Sequence, residues 1–202
     1  MWKWFAEMPK LRHKQAEPLG LRELEIERLN YFYSMLEADK RTFDDFTPLN
    51  RQEIEEFLFS PNTLAYEIGD GVGLTALIYT GVNAFIQMVM FDWFYREYIC
   101  CQMIDIAFEN GAERVTSTVS VDRNNARQLV LGLGFRYEGT LRQAYYRPGN
   151  AQVLGNYVDV ELYGLSKEAW NGSDRGRSYR SSGSDWWRGA SVSRSEVSSE
   201  GG

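Results

Sequence analysis

Cysteine, histidine and long apolar runs are all scarce in this sequence of 202 residues. It contains two cysteines, which are adjacent, and a single histidine, His13. Adjacent cysteines can build neither a disulfide framework nor a zinc knuckle, and one histidine in a charged segment leaves little for Ser-His or Cys-His catalysis. No run of 18 uncharged apolar residues exists, so we expect no membrane-spanning helix. Residues 1–5 also lack the layout of a secretory signal, and we expect none there.

Positive charge is also in deficit, since the formal net charge is −6. A protein of this charge is a poor candidate for binding nucleic acid by phosphate neutralisation. The 44% hydrophobic and 25% charged residues are typical of a soluble protein with one core. Cys100 and Cys101 point about 100° apart on a helix, so we interpret them as buried, inert thiols. Two unpaired thiols favour a reducing cytoplasm.

Composition divides the chain into a body and two extensions. Residues 171–202 include ten serines and six glycines, which predicts a flexible tail. Residues 1–19 form an aromatic and charged extension, and residues 20–170 form the body. Four of the six tryptophans lie in the extensions. These aromatic residues either fold back onto the body or bind a protein partner. The candidate partner-binding residues are Trp2, Trp4, Trp186, Trp187 and Arg188.

Within the body, hydrophobic periodicity predicts alternating helices and strands. The first helix is predicted over Leu21–Met35 and the second over Arg51–Phe59, after a start signal at Asn50. The predicted strands are Leu64–Ile68, Val72–Tyr79, Ala84–Phe91, Arg114–Val121, Phe135–Tyr146 and Tyr157–Leu165. The remaining predicted helices are Tyr95–Asn110 and Asn124–Leu131. This order predicts an α+β fold of three layers, α/β/α, with a mixed central sheet and helices on both faces.

Three motifs in the last forty residues of the body occur in a recognisable order. They are Leu133–Phe135 (Leu-Gly-Phe), Glu138–Arg142 (Glu-Gly-x-x-Arg) and Asp159–Leu165 (Asp-Val-x-x-Tyr-x-Leu). The ordered set resembles the GNAT superfamily of acetyl-CoA-dependent N-acetyltransferases, nearest the ribosomal-protein and polyamine N-acetyltransferase branch. The resemblance covers residues 20–170. It implies a mixed, mostly antiparallel sheet that splits between two parallel strands, where the pantetheine arm of coenzyme A enters.

The resemblance also implies a coenzyme A diphosphate site at the start of the helix that follows the third antiparallel strand. The family pattern there is Arg/Gln-x-x-Gly-x-Gly/Ala, because glycine lets phosphate oxygens approach the backbone. In one alignment Arg96 occupies the arginine position, and Ile99 and Cys101 occupy the glycine positions; in another, counted back from Ala107–Phe108, the loop is about four residues too short. Neither alignment supplies a glycine, and Glu97 and Asp92 add negative charge. We interpret the phosphate loop as degenerate. Its candidate cofactor-binding residues are Arg96, Tyr98 and Ile99.

Catalytic residues are only weakly indicated by the resemblance. Val130 occupies the position where many members carry a tyrosine as general acid, and Arg123 occupies that of a common asparagine, with Asn124 one place later. A general base is left open among three carboxylates. The candidates for an active enzyme are Asp92, Glu138 and Asn124, with Glu67 as a further possible base. No metal site is expected.

Two other motifs carry alternative interpretations. Gly69–Gly73 superficially resembles a phosphate loop, but it joins two predicted strands, so we interpret it as a hairpin. A basic and aromatic cluster on the long strand would border the acceptor pocket in an active relative, or else is an ordinary strand and its turn. The members of that cluster are Arg142, Tyr145, Tyr146 and Arg147.

The sequence leaves three functional hypotheses. The first is a GNAT-fold protein that has lost its cofactor and serves as a structural or interaction subunit, with protein partners bound through the terminal extensions. By analogy it would resemble accessory virion proteins of tailed phages, in the cytoplasm or in a virion assembled there. The second is an active acetyl-CoA-dependent N-acetyltransferase acting on a protein N-terminus or a small amine. The third is a module that binds another ligand in the same cleft.

Overall fold

The computed structural model describes residues 20–38, 50–69, 71–90, 95–147 and 155–182. Seven strands and six α-helices alternate along this part of the chain. The strands are β1 Leu21–Glu23, β2 Thr63–Ile68, β3 Gly73–Thr80, β4 Asn83–Met90, β5 Arg114–Ser120, β6 Arg136–Arg147 and β7 Asn156–Ser166. The helices are α1 Leu29–Ala38, α2 Arg51–Leu58, α3 Arg96–Glu109, α4 Asn124–Gly132, α5 Lys167–Gly172 and α6 Asp174–Ser182, and a 3₁₀ turn, Ile26–Arg28, precedes α1.

The strands form one mixed sheet in the order β1-β2-β3-β4-β5-β7-β6. Every neighbouring pair is antiparallel except β4 and β5, which run parallel because α3 crosses over between them. The predicted fold class, a mostly antiparallel mixed sheet with flanking helices, is confirmed.

Each face of the sheet carries its own apolar core. On the α3 face, α3, α4 and Trp170 of α5 pack against the sheet, and Met103, Ile104 and Trp170 are fully buried. On the α1 face, α1 and α2 pack against β2, β3 and β4. The residues of this smaller core are Leu24, Leu29, Phe32, Ile54, Leu58, Ala65, Leu74, Ala76 and Val89. The sheet therefore lies between two unequal layers, as the sequence predicted.

The N-terminal element differs from the predicted helix over Leu21–Met35. Its first three residues form strand β1, which pairs antiparallel with β2 from Leu21↔Ile68 to Glu23↔Tyr66. The helix proper begins only at Leu29. The prediction is wrong at Leu21–Glu23 because β2 offers an open edge there, and ladder hydrogen bonds to that edge outweigh a helical periodicity carried by few residues.

Two local predictions in the N-terminal half are confirmed. Helix α2 begins with a capping box, in which the side chain of Asn50 accepts a hydrogen bond from the Glu53 N–H and the Glu53 carboxylate accepts one from the Asn50 N–H. β2 and β3 are joined by the predicted hairpin, whose Gly69 and Gly71 have positive φ angles of 56° and 83°.

The C-terminal part of the fold extends past the predicted boundary at residue 170. Helix α6 occupies Asp174–Ser182, inside the segment predicted to be flexible. Ser173 precedes the helix, and its hydroxyl accepts from the Gly176 N–H and donates to the Trp170 carbonyl. An ion pair between Arg175 and Glu97 ties α6 to α3. A serine-rich composition therefore does not prevent this helix, because caps and ion pairs stabilise it.

The candidate partner-binding residues Trp2, Trp4, Trp186, Trp187 and Arg188 lie outside the described residues, as does Asp92. None of the helices in the described ranges combines the length and apolarity needed to cross a bilayer.

Candidate active site at the split of the sheet

The central sheet opens between its two parallel strands. β4 and β5 pair only from Asn83↔Arg114 to Ile86↔Ser117, although β4 continues to Met90 and β5 continues to Ser120. Beyond this point β4 stays paired with β3, and β5 stays paired with β7. Within the described ladder, the β5-facing edge of β4 therefore has no strand partner after Ile86, and a cleft begins there.

Polar side chains line the α1 face of the seam that leads to this cleft. The Thr116 hydroxyl donates to Asn83 Oδ1 at 3.0 Å, and one step further the Gln87 amide donates to the Thr118 hydroxyl at 3.4 Å. Thr116 is buried, whereas Gln87 and Thr118 are half-buried at the point where pairing ends. Gln87 and Thr118 thus place an amide and a hydroxyl at the mouth of the split.

Helix α3 follows β4 in the chain and begins with the residues predicted as a degenerate phosphate loop. Its N-cap, Tyr95, makes no side-chain capping hydrogen bond. Tyr98 and Ile99 are buried in the α3-face core, and Arg96 is half-buried in the first turn. The Glu97 carboxylate is ion-paired with Arg175 of α6. The first turn therefore presents Arg96 and backbone N–H groups at a positive helix end, while Tyr98 and Ile99 serve the core.

The adjacent cysteines of α3 belong to the α3-face core. Cys100 and Cys101 are both buried. Burial raises the pKa of the Cys100 thiol to about 12 and raises that of Cys101 as well. Both cysteines are therefore buried, as predicted, and the raised pKa disfavours the reactive thiolate form.

Glu138, a candidate base, lies at the opposite end of the sheet from the split. Its carboxylate is ion-paired with Arg114, the first residue of β5, three residues before pairing with β4 ends. The pair lies over Gly164 of β7, where an added Cβ would collide with both side chains. The structure thus uses Glu138 to join β5 to β6 across a glycine and does not bring it to the split.

Glu67, the other described candidate base, is fully buried on β2. Arg28 donates to its carboxylate at 2.7 and 3.2 Å, and Arg22 donates at 2.8 Å. Burial alone would raise the pKa of Glu67, but the hydrogen bonds from Arg28 and Arg22 outweigh burial and lower it. Glu67 is therefore a bound anion that fastens β1 and the 3₁₀ turn to the sheet, two strands away from β4.

Asn124 lies at the end of β5 where the split opens. It begins helix α4 and, with its neighbours, lines a cavity of about 230 Å³; the lining residues are Asp122, Arg123, Asn124, Asn125 and Ala126. Val130, at the position of the family tyrosine, is buried in the core. Of the described candidates, Asn124 and Arg96 begin the helices that follow the diverging strands β5 and β4 in the chain, whereas Glu138 and Glu67 are held in ion pairs away from the split.

An ion pair that sequence reasoning missed holds α4 in this position. Arg127 donates to both oxygens of Glu161 on β7, at 2.8 and 2.9 Å, and the Tyr163 hydroxyl donates to Glu161 at 2.7 Å. Burial alone would raise the pKa of Glu161, but the hydrogen bonds from Tyr163 and Arg127 lower it. The i, i+2 spacing of Glu161 and Tyr163 on one strand face was the available signal. Gln87 and Thr118 carried no comparable signal.

The basic and aromatic cluster lies on the edge strand β6. Gln143 adopts a left-handed backbone (φ +50°) in an irregularity of the β6–β7 ladder, and its N–H donates to Asp159 at 2.7 Å. Tyr146 stacks edge-to-face on Tyr157 of β7, with centroids 5.3 Å apart. Arg142 is exposed on the same strand. The cluster thus belongs to a bent sheet edge.

Together, the parallel pair that diverges, the crossover helix α3 and helix α4 after β5 define the fold. The chain has the GNAT acetyltransferase fold. No protein-family model matches its sequence, and no curated protein matches it at a significant level.

Solved structures of acetyltransferases share this fold. Spermidine N-acetyltransferase from Vibrio cholerae, in complex with CoA and spermine, superimposes with a TM-score of 0.65 at 18% sequence identity, covering 76% of this chain and 98% of that one. A dodecameric structure of spermidine N-acetyltransferase from the same organism gives a TM-score of 0.63 at 18% identity, covering 78% and 98%. These likenesses show that the predicted resemblance is correct at the level of the fold.

Proposed function

We propose that this protein transfers an acetyl group from acetyl-CoA to an amine. The observation that carries the proposal is the split between β4 and β5. The hydrogen-bonded ladder between these strands ends at Ile86↔Ser117, although both strands continue beyond it. A cleft with one open strand edge suits a linear molecule with amide groups, because such a molecule can pair with the strand. A similar solved structure holds CoA, which also supports the proposal.

The residues at the cleft fit the two halves of coenzyme A to different degrees. The open edge of β4 over Gln87–Met90 fits the pantetheine arm, which carries amide donors and acceptors. The first turn of α3 would hold the diphosphate through its backbone N–H groups and Arg96, with Arg175 offsetting the charge of Glu97. This differs from a glycine-rich loop but keeps a positive helix end. When bound, acetyl-CoA supplies an activated acetyl group as a thioester.

The chain itself would contribute position and polarity. An amine that is held in line with a thioester reacts faster, mainly because binding has already removed the translational and rotational freedom that the reaction would otherwise cost. Gln87 and Thr118 can orient such an amine by hydrogen bonds at the mouth of the split. Backbone N–H groups of the open β4 edge can stabilise negative charge on the thioester oxygen. Asp92 stays a prediction as the proton acceptor.

Calorimetry and thermal denaturation with acetyl-CoA test this proposal on the full chain. We expect a micromolar Kd, and at 100 times the Kd a stabilisation of about 2.7 kcal/mol. An Arg96→Gln variant should bind more weakly, whereas Arg51→Gln, at an exposed position of α2, should bind unchanged. Absence of binding at millimolar acetyl-CoA would overturn the proposal.

A second candidate function is favoured by the first turn of α3. That turn carries Glu97 and has no glycine, which supports a non-catalytic protein that binds its partners through the terminal extensions. Trp2, Trp4, Trp186, Trp187 and Arg188 stay predictions for such contacts, and a virion assembly stays an analogy. The cytoplasm stays the expected compartment, supported by the two unpaired thiols.

Deletion of residues 183–202 tests the second candidate more cleanly than deletion from residue 171, because it keeps α6 and the Arg175–Glu97 ion pair. It should abolish assembly with a partner while leaving the melting temperature of the body unchanged. Retained assembly after deletion would count against a role of the C-terminal tryptophans.

A further inference from the structure

Helices α5 and α6 run back along α3, from the end of that helix toward its first turn. Their successive contacts move steadily toward the N-terminus of α3: Lys167 donates to the Phe108 carbonyl, Trp170 donates to Asp105, and Arg175 is ion-paired with Glu97. The contacted positions fall from 108 to 97 while the contacting positions rise from 167 to 175. Helix α6 therefore reaches the end of α3 where we propose that the diphosphate of coenzyme A binds.

Arg96 and Glu97 lie on different sides of this first turn. One turn after Arg96, the Cys100 thiol contacts the Met88 sulfur at 4.0 Å, and Met88 belongs to the part of β4 that lies beyond the last β4–β5 pair. Because residues four apart share one side of a helix, Arg96 lies on the side that faces the open part of β4. Glu97 lies about 100° further round the helix. Arg175 therefore approaches the first turn from a different direction than Arg96 does.

The arginines of α6 differ in what binds them. Arg177 is held within its own segment, where it donates to Asp174 at 2.5 Å and to the Gly172 carbonyl at 2.8 Å. Arg175 instead extends to Glu97 on α3, and 49% of its side chain is exposed. A guanidinium carries five N–H donors, and one carboxylate accepts at most a pair of them in a bidentate contact. Arg175 can therefore bind a second anion at the first turn of α3.

We infer that Arg175 is a further cofactor-binding residue, which binds the diphosphate of acetyl-CoA from the α6 side of the first turn of α3. This inference rests on the proposed acetyl transfer. Glu97 holds the guanidinium at the first turn before the cofactor arrives, and the phosphate oxygens then compete with Glu97 for its N–H groups. An arginine from α6 thus supplies positive charge to a first turn that has no glycine for close approach of phosphate to the backbone. Glu97 positions Arg175 but weakens binding of the anion.

Two variants that break the same ion pair separate this role from a structural one. Arg175→Gln removes the cation and should raise the Kd for acetyl-CoA by roughly three- to tenfold. Glu97→Gln releases Arg175 and removes a negative charge from the site, so it should lower that Kd by roughly two- to fivefold. Calorimetry on the full chain measures both. An ion pair that only fastens α6 to α3 would be lost in both variants, and any change in Kd would then have the same direction.

A matched variant and a shortened cofactor sharpen the same experiment. Arg177→Gln makes the same replacement on the same helix, at an arginine bound by Asp174, and should change the Kd for acetyl-CoA by less than about twofold. S-acetylpantetheine carries the same thioester but has no phosphate groups. It should bind to Arg175→Gln and to the unmodified chain with equal Kd. Melting temperatures of the unliganded proteins measure how far each variant destabilises the fold.

Each outcome bears on a different statement. An unchanged Kd for acetyl-CoA in Arg175→Gln would overturn the inference and leave the proposed acetyl transfer in place. Changes of the same direction in Arg175→Gln and Glu97→Gln would also overturn it, as would an equal loss of affinity for S-acetylpantetheine in Arg175→Gln. Absence of acetyl-CoA binding in the unmodified chain and in Glu97→Gln would overturn the proposed function itself, and the inference with it.

Discussion

The two faces of the sheet are built from the same strands but differ in the side chains that they bury. On the α3 face, a large apolar core surrounds α3 and Trp170, and the indole N–H of Trp170 donates to Asp105 at 2.6 Å. On the α1 face, a smaller core gives way to ion pairs and hydroxyls as the sheet passes β4. Among the described residues, the larger buried core therefore lies on the α3 face, and we expect it to contribute more to stability. On the α1 face, Gln87 and Thr118 are half-buried at the split.

Truncation of Trp170, the largest fully buried side chain of the described residues, should have the greatest effect. Trp170→Ala removes an indole with 0% exposure and should lower the free energy of unfolding by about 3–5 kcal/mol. Urea denaturation followed by circular dichroism measures this. Trp170→Phe, which keeps most of the apolar area, should cost less. A loss below that of the α1-face variants would contradict the assignment of stability to the α3 face.

Neutralisation of the buried carboxylate probes the α1 face. Glu67→Gln removes the charge that Arg22 and Arg28 bind and should lower the free energy of unfolding by about 1–3 kcal/mol. Glu138→Gln, whose ion pair with Arg114 is partly exposed, is the matched control and should cost about 0–1 kcal/mol. Equal losses in the free energy of unfolding would mean that the buried Glu67 ion pairs stabilise the protein no more than the partly exposed Glu138 pair does.

The Glu67 carboxylate also makes the stability of the protein depend on pH. Its pKa is lower in the folded state than in the unfolded state, so its contribution is fully present above the unfolded pKa of Glu and is lost as pH falls through the folded pKa. Melting temperatures between pH 7 and pH 3 should therefore fall more steeply for the unmodified chain than for Glu67→Gln. Parallel curves would contradict this contribution.

Gly71 in the β2–β3 hairpin lies close to Tyr31 of α1. Gly71 has a φ angle of +83°, and a Cβ there would lie 2.6 Å from the Tyr31 hydroxyl of α1. Gly71→Ala should lower the free energy of unfolding by about 1–2 kcal/mol, from backbone strain and displacement of Tyr31. Gly20→Ala, with open space around the new methyl, is the control. Denaturant midpoints measure both, and equal shifts would remove the argument.

The smallest expected effect is confined to activity. Thr118→Val removes the hydroxyl at the split and should lower kcat/KM for acetyl transfer about two- to tenfold, with little change in stability. Thr140→Val makes the same replacement on the α3 face of β6 and should leave kcat/KM unchanged. Equal rates for both variants would argue that Thr118 does not contact the acceptor.

Local features of the fold could be predicted from the sequence where neighbouring residues determine them. The Asn50 cap, the hairpin at Gly69–Gly73 and the helix over 96–109 depend on residues within a few positions of one another. The β1 strand could not be predicted, because its three residues acquire their conformation from β2, about 45 positions away. Helix α6 was missed because its stabilising partner Glu97 is 78 positions away.

The candidate site, like the fold, has some features that the sequence indicated and others that it did not. The motifs around Glu138 and Asn124 indicated a GNAT-like body, and the fold bears this out. That Glu138 is bound by Arg114, and that Gln87 meets Thr118 at the split, follows from strand register between residues 24 and 31 positions apart. The sequence does not show which of its glutamates, arginines, glutamines or threonines will pair, because strand register is fixed by the packing of whole strands.

By itself the sequence determined the order of most elements and the apolar faces of the helices, since short-range periodicity and caps encode these, and three of its motifs resembled those of the GNAT fold. Only the tertiary structure decided which carboxylates are bound by arginines, where β4 and β5 part, and that α6 packs on α3. Those features depend on contacts between distant segments, whose energies are realised only when the sheet has assembled. The chemistry at the split is therefore a property of the assembled sheet.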